Sequence, residues 1–96
     1  MTLEAFRQTL NEPKPPAVSV PLQALWYDAQ GNWEQAHRLV QDDPSPESAW
    51  VHAYLHRKEG DISNAHYWYR RANKPPHNGT LEQEWNEIAQ ALLSQS

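Results

Sequence analysis

Leu81, Trp85, Ile88, Ala89, Leu92 and Leu93 follow one another at intervals of three and four residues, a spacing that lays them along one side of an α-helix. Glu82, Gln83, Glu84 and Glu87 fall between them and are expected to face water. Thr80 and Gln83 have the residue types and separation of a capping box, which satisfies the free N–H groups of a first turn. The same period runs through "WEQAHRLVQ", where Trp33, Ala36, Leu39 and Val40 share a side, and through "ISNAHYWYRRA", where Ile62, Ala65, Trp68, Tyr69 and Ala72 do. Asn32 and Asp61 stand directly before these stretches as side-chain caps.

Three further helices are marked by their ends. Thr2 caps a short one carrying Leu3, Phe6 and Leu10. Ser19 to Pro21 opens one that runs to Gln30 and stops at Gly31, while Ser45-Pro46 opens a longer one to about Glu59, stopped by Gly60. The eight prolines gather between these segments, where the missing N–H does no harm. The pattern predicts an all-α chain of about five to six helices. Residues 1-18 form a short helix and a proline-rich linker, and residues 19-96 a domain of two helix hairpins plus a C-terminal capping helix.

"AQGNWEQAHRLV" (29 to 40) aligns with "KEGDISNAHYWY" (58 to 69), superposing Gly, a polar cap, an apolar residue and Ala-His at an offset of 29 residues. Each copy reads as helix, glycine turn, helix. Such a hairpin cannot bury its apolar face alone, so neighbouring copies are expected to stack. The second copy, "GDISNAHYWYRRA", resembles tetratricopeptide and Sel1-like repeats in its Gly-Asp turn, the alanine that follows, the Trp-Tyr pair and the closing alanine. The resemblance covers roughly residues 20 to 75. It implies that Ala65 and Ala72 sit where helices touch closely, that Tyr69 fills the large position between them, and that the chain is a scaffold for binding other proteins. With two copies both ends need cover. The last helix covers one, and the first helix either covers the other or docks on a second molecule, which leaves a homodimer open.

Composition narrows the function. Ninety-six residues with twelve acidic and eight basic side chains give a net charge of −4 without a basic stripe, which speaks against nucleic acid. No apolar run reaches the roughly 20 residues of a membrane span, and the first residues lack a basic start and an apolar core, so a cytoplasmic protein is expected. Without cysteine there is neither a thiolate nucleophile nor a Cys-based zinc site. Phosphate loops and nucleophile elbows are also missing, and a non-catalytic protein without a cofactor is expected.

Two sets of side chains remain as candidate chemistry. Trp50, Tyr54 and Arg57 recur at i, i+4 and i+7, and aromatic rings beside an arginine are the usual anchors of a protein or peptide interface; the alternative is that Trp50 and Tyr54 pack against the preceding hairpin. In "HAYLHRKEG", His52 and His56 lie one turn apart beside Ala49 and Ala53. Those alanines point to a packed seam against the 62 to 72 helix. A small-molecule or metal site using His52 and His56 is the second reading, and a metal would need a third ligand such as Glu59 or His66. Ala53 occupies the place of the glutamate in H-E-x-x-H, so zinc-protease chemistry is excluded. His37 and His66 hold equivalent places in the two copies, which argues for a shared packing role, and His77 reads as exposed.

Overall fold

The computed structural model describes residues 1 to 95. Six α-helices and one short 3₁₀ turn make up its regular structure, and there is no strand among the described residues. α1 spans Leu3–Gln8, α2 Val20–Ala29, α3 Trp33–Gln41, α4 Pro46–Lys58, α5 Ile62–Ala72 and α6 Leu81–Ser94. None is long and apolar enough to cross a membrane.

Local chemistry sets the boundaries. The side chains of Asn32, Ser45, Asp61 and Thr80 each accept a hydrogen bond from the backbone N–H three residues on, and Thr80 with Gln83 closes a reciprocal capping box. Gly31 and Gly60 end α2 and α4 with φ of 82° and 89°, a left-handed conformation in which a Cβ would crowd the following carbonyl. Asn73 ends α5 in the same region, at φ 59°.

α4 is the centre of the molecule. α5 packs along it, α3 lies on another side, and α2 and α6 cover the rest. The chain from Ser48 to His56 is buried without interruption. α1 folds back on α6 of the same chain, where the Phe6 ring stacks on Trp85 at 5.8 Å and Arg7 donates to Asn86 at 2.9 Å. Indole N–H groups tie helices together: Trp26 donates to the Thr9 carbonyl, Trp33 to that of Leu55 and Trp85 to that of Leu25.

Two expectations fail, for related reasons. Glu84 does not face water; it is 1 % exposed, accepts from the Arg57 guanidinium at 2.9 Å and from the Tyr69 hydroxyl, and so closes α6 onto α4 and α5. Burial and the Glu84 carboxylate together hold the Tyr69 hydroxyl in its neutral form by pushing its pKa up. Ile62, expected on the apolar side of α5, is exposed. α5 packs chiefly against α4, and no helix lies over its start.

The Arg57–Glu84 pair yields a stability prediction. Arg57→Ala leaves a buried carboxylate without its cation and should cost about 3–5 kcal/mol, read from urea unfolding. Replacing both partners, Arg57→Met with Glu84→Leu, should recover much of that loss. A loss under about 1 kcal/mol for Arg57→Ala would mean that the ion pair does not hold α6 in place.

Candidate functional site

Three histidines meet between α3 and α4. His37 comes from the middle of α3, and His52 and His56 from successive turns of α4. The Nε2 atoms of His37 and His52 are 3.1 Å apart, and a ring nitrogen of each of the three residues lies within 4.8 Å of the other two. His52 and His56 are stacked at 4.8 Å, while the His37 ring meets both nearly edge-on, at 4.7 and 5.2 Å.

Two tryptophans wall this cluster. Trp33, one turn before His37, stacks flat on it at 4.9 Å and turns its edge region toward His56. Trp68 of α5 lies on the opposite flank, 3.9 Å from the His52 ring and inclined to it by 16°. The Nδ1 of His56 donates to Glu59 at 2.6 Å, because a carboxylate can only accept; in the neutral ring this leaves the lone pair on Nε2. Every other buried side-chain polar atom among the described residues has a hydrogen-bond partner, but Nδ1 of His52 has none.

Burial and like neighbours favour the neutral form of His52 and His37. His52 is 3 % exposed, and desolvation, followed by the proximity of His37 and His56, lowers its pKa to about 3. His37 is half-buried and is shifted down as well, by desolvation and by His56 against a smaller opposing effect of Glu59. The neutral imidazole is the form that coordinates metals.

The structure thus places His52 and His56 in a seam that α5 shares with α3. The third histidine is His37, whose equivalence to His66 across the two copies argues for packing; neither Glu59 nor His66 completes the set. His66 is exposed on α5 although it occupies the position equivalent to His37. α3 has α4 laid across that side, whereas α5 has no later helix there. His77 is half-buried and bonded to Glu87 at 2.9 Å.

Trp50, Tyr54 and Arg57 lie on the inner side of α4. Trp50 and Tyr54 are buried, the Tyr54 hydroxyl donates to Asp28 at 2.8 Å, and Arg57 binds Glu84 and the Gly79 carbonyl. Lys58 completes the Asp28 site at 2.8 Å. Aromatic and guanidinium groups reach solvent together on α5 instead. Tyr67 is 44 % exposed, Trp68 is half-buried with its ring edge-on to Tyr67 at 5.2 Å, and the Arg71 guanidinium lies over both, at 5.8 and 5.3 Å. A groove of about 410 Å³ adjoins them, lined by Pro44, Pro46, Ala49, Trp68 and Arg71 among others. In sequence, "YWYRR" carried this signal, masked because Trp68 also belongs to the buried period of α5.

No protein-family model matches the chain, and no curated protein or solved structure matches it.

The buried neutral state of His52 fixes a pH dependence. Its folded pKa lies below the unfolded value of about 6.5, so stability is undiminished above that pH and falls as protons bind the unfolded chain preferentially on acidification. Between pH 6.5 and 5 the loss from this residue should approach about 2 kcal/mol. Urea unfolding of wild type and His52→Gln in metal-free buffer isolates it, since His37, His56, Glu59 and the other carboxylates are common to both. Parallel curves in the two proteins would show that His52 is not held neutral.

Proposed function

We propose that the chain is a non-catalytic helical-repeat module that binds a protein or peptide partner, and that its docking surface is the Tyr67, Trp68 and Arg71 patch of α5. The observation that carries this reading is an exposed tyrosine and a half-buried tryptophan under an arginine beside a groove, the residue types on which interfaces concentrate their binding energy. Asp42 and Asp43 line the groove beside Pro44, Pro46 and Ala49, and the chain carries a net charge of −4, so the patch suits a segment that brings an apolar anchor and a basic side chain.

Several features favour a repeat of the tetratricopeptide or Sel1-like kind. The turn after α2 and the turn after α4 close alike: Gly31 N–H bonds the Asp28 carbonyl and Asn32 N–H that of Tyr27, while Gly60 bonds Arg57 and Asp61 bonds His56. Each of these positions is separated from its counterpart by the same 29 residues as the sequence alignment. Ala36 and Ala65 are buried at equivalent places, as are Val40 and Tyr69. In such an array the outer side of a final hairpin is open to the next element, and α5 is so placed here.

Purified partner, recovered by co-purification from the source organism, should bind Tyr67→Ala with Arg71→Ala at least about thirtyfold more weakly than wild type, a loss of about 2 kcal/mol. Both side chains are exposed, so the helical circular dichroism and melting temperature should hold. Undiminished affinity in the folded double variant would overturn the assignment.

A further inference from the structure

We propose that His37, His52 and His56 form a binding site for a divalent transition-metal ion of the zinc class, with Glu59 orienting His56 and the rings of Trp33 and Trp68 walling the site. The inference does not depend on the docking surface, with which the site shares Trp68, and requires no partner.

Four observations support it. The first is convergence: three imidazoles from two helices bring a nitrogen each into a space no wider than 4.8 Å. Tetrahedral zinc with Zn–N bonds of about 2.0–2.1 Å sets its ligands about 3.3 Å apart, and the His37 and His52 Nε2 atoms are already at 3.1 Å. The His56 nitrogen lies within 4.8 Å of both, so closing the set requires a shift of His56 or of the half-buried His37.

The second is the contact between His56 and Glu59. A carboxylate holding Nδ1–H of a histidine fixes the ring and directs its Nε2 lone pair outward, the arrangement that supports metal-bound imidazoles. The third is His52 itself, whose Nε2 faces His37 while Nδ1 is buried without a partner; the ion would take Nε2, so Nδ1 bears only on how poorly packing alone serves the ring. An unpaired buried polar atom costs about 1–3 kcal/mol, and a leucine would fill the same seam without that cost, so packing alone does not account for histidine here. The fourth is the setting. Flat aromatic walls on two flanks exclude water, and the partial exposure of His37 and Trp33 gives an ion a route from solvent.

Donor chemistry selects the ion. Three imidazoles without thiolate favour zinc, copper(II), nickel or cobalt over magnesium and calcium, which take oxygen ligands. Three protein ligands also leave a fourth position open to water or to a donor from another molecule. A second group, His56 with Glu59 and Asp61, shares His56. Its two carboxylates are exposed; Asp61 caps α5 and Glu59 is engaged with His56, so it reads as a helix junction.

The test is calorimetric titration of zinc into the full chain, freed of metal with EDTA, at neutral pH. One equivalent should bind with micromolar or tighter affinity and raise the melting temperature by roughly 4 °C or more at saturating zinc, while magnesium should give neither effect. His37→Ala and His56→Ala should each weaken zinc at least tenfold, and His66→Ala should not. Because a variant that fails to fold decides nothing, the wild type supplies an independent readout: nitrogen NMR should show three of the five imidazoles, those of His37, His52 and His56, moving to metal-bound positions. Absence of saturable zinc binding overturns the proposal. So does full affinity in folded His37→Ala, or a spectrum in which His37 and His52 do not move, since either places the ion with Glu59 and Asp61.

Discussion

The burial of α4 on all its sides is the constraint to which the rest of this molecule answers. A helix with one wet side can leave its polar residues in water, but from Ser48 to His56 α4 has no such side. A polar group it carries is therefore costly unless it finds a partner, and all but Nδ1 of His52 do so. Ser48 reaches Asp43, Tyr54 reaches Asp28, Arg57 reaches Glu84, and His52 reaches His37. These contacts fix the loop before α4 and the placement of α2, α6 and α3 around it, so the polar groups of one helix set the register of the others.

The two hairpins are alike in sequence and unlike in environment. α3 presents Trp33 and His37 to α4, which buries them in part and turns them into the wall and one member of the histidine cluster. The equivalent residues of α5, Ile62 and His66, point to solvent because α6 runs over α4, α2 and α1. Which helix packs over a residue thus decides what it does. An aromatic–arginine surface results on α5 and a histidine cluster between α3 and α4, and Trp68 touches both.

Tryptophan has a definite part in so small a domain. A core of this size supplies little margin, and three indoles add a donor to a helix-end or helix-borne carbonyl as well as apolar area: Trp26, Trp33 and Trp85. Trp50 carries the Lys74 ammonium over its ring at 4.4 Å, which fastens the segment after α5. The ring of Phe6 against Trp85 brings the first helix into the same core.

By itself the sequence determined the helices, because caps, prolines, glycines and the three-to-four period act between residues close in the chain. Asn32, Ser45, Asp61 and Thr80 start helices as their residue types require, and Gly31 and Gly60 stop them. It also placed His52 and His56 together on a seam, since one turn of α4 separates them. What it could not decide was which residues of other helices complete each contact. Glu84 read as a solvent residue because its period is that of the wet side of α6, and only the approach of Arg57 and Tyr69, 27 and 15 residues away, makes its burial tolerable. His37 read as packing because its distance in sequence from His52 hid a 3.1 Å approach in space. Trp50, Tyr54 and Arg57 share a side of α4 as their spacing requires, but whether that side meets water depends on where α6 and α2 lie. Local hydrogen bonding and periodicity settle the elements; the pairing of buried polar groups across elements is settled only when the helices close around α4.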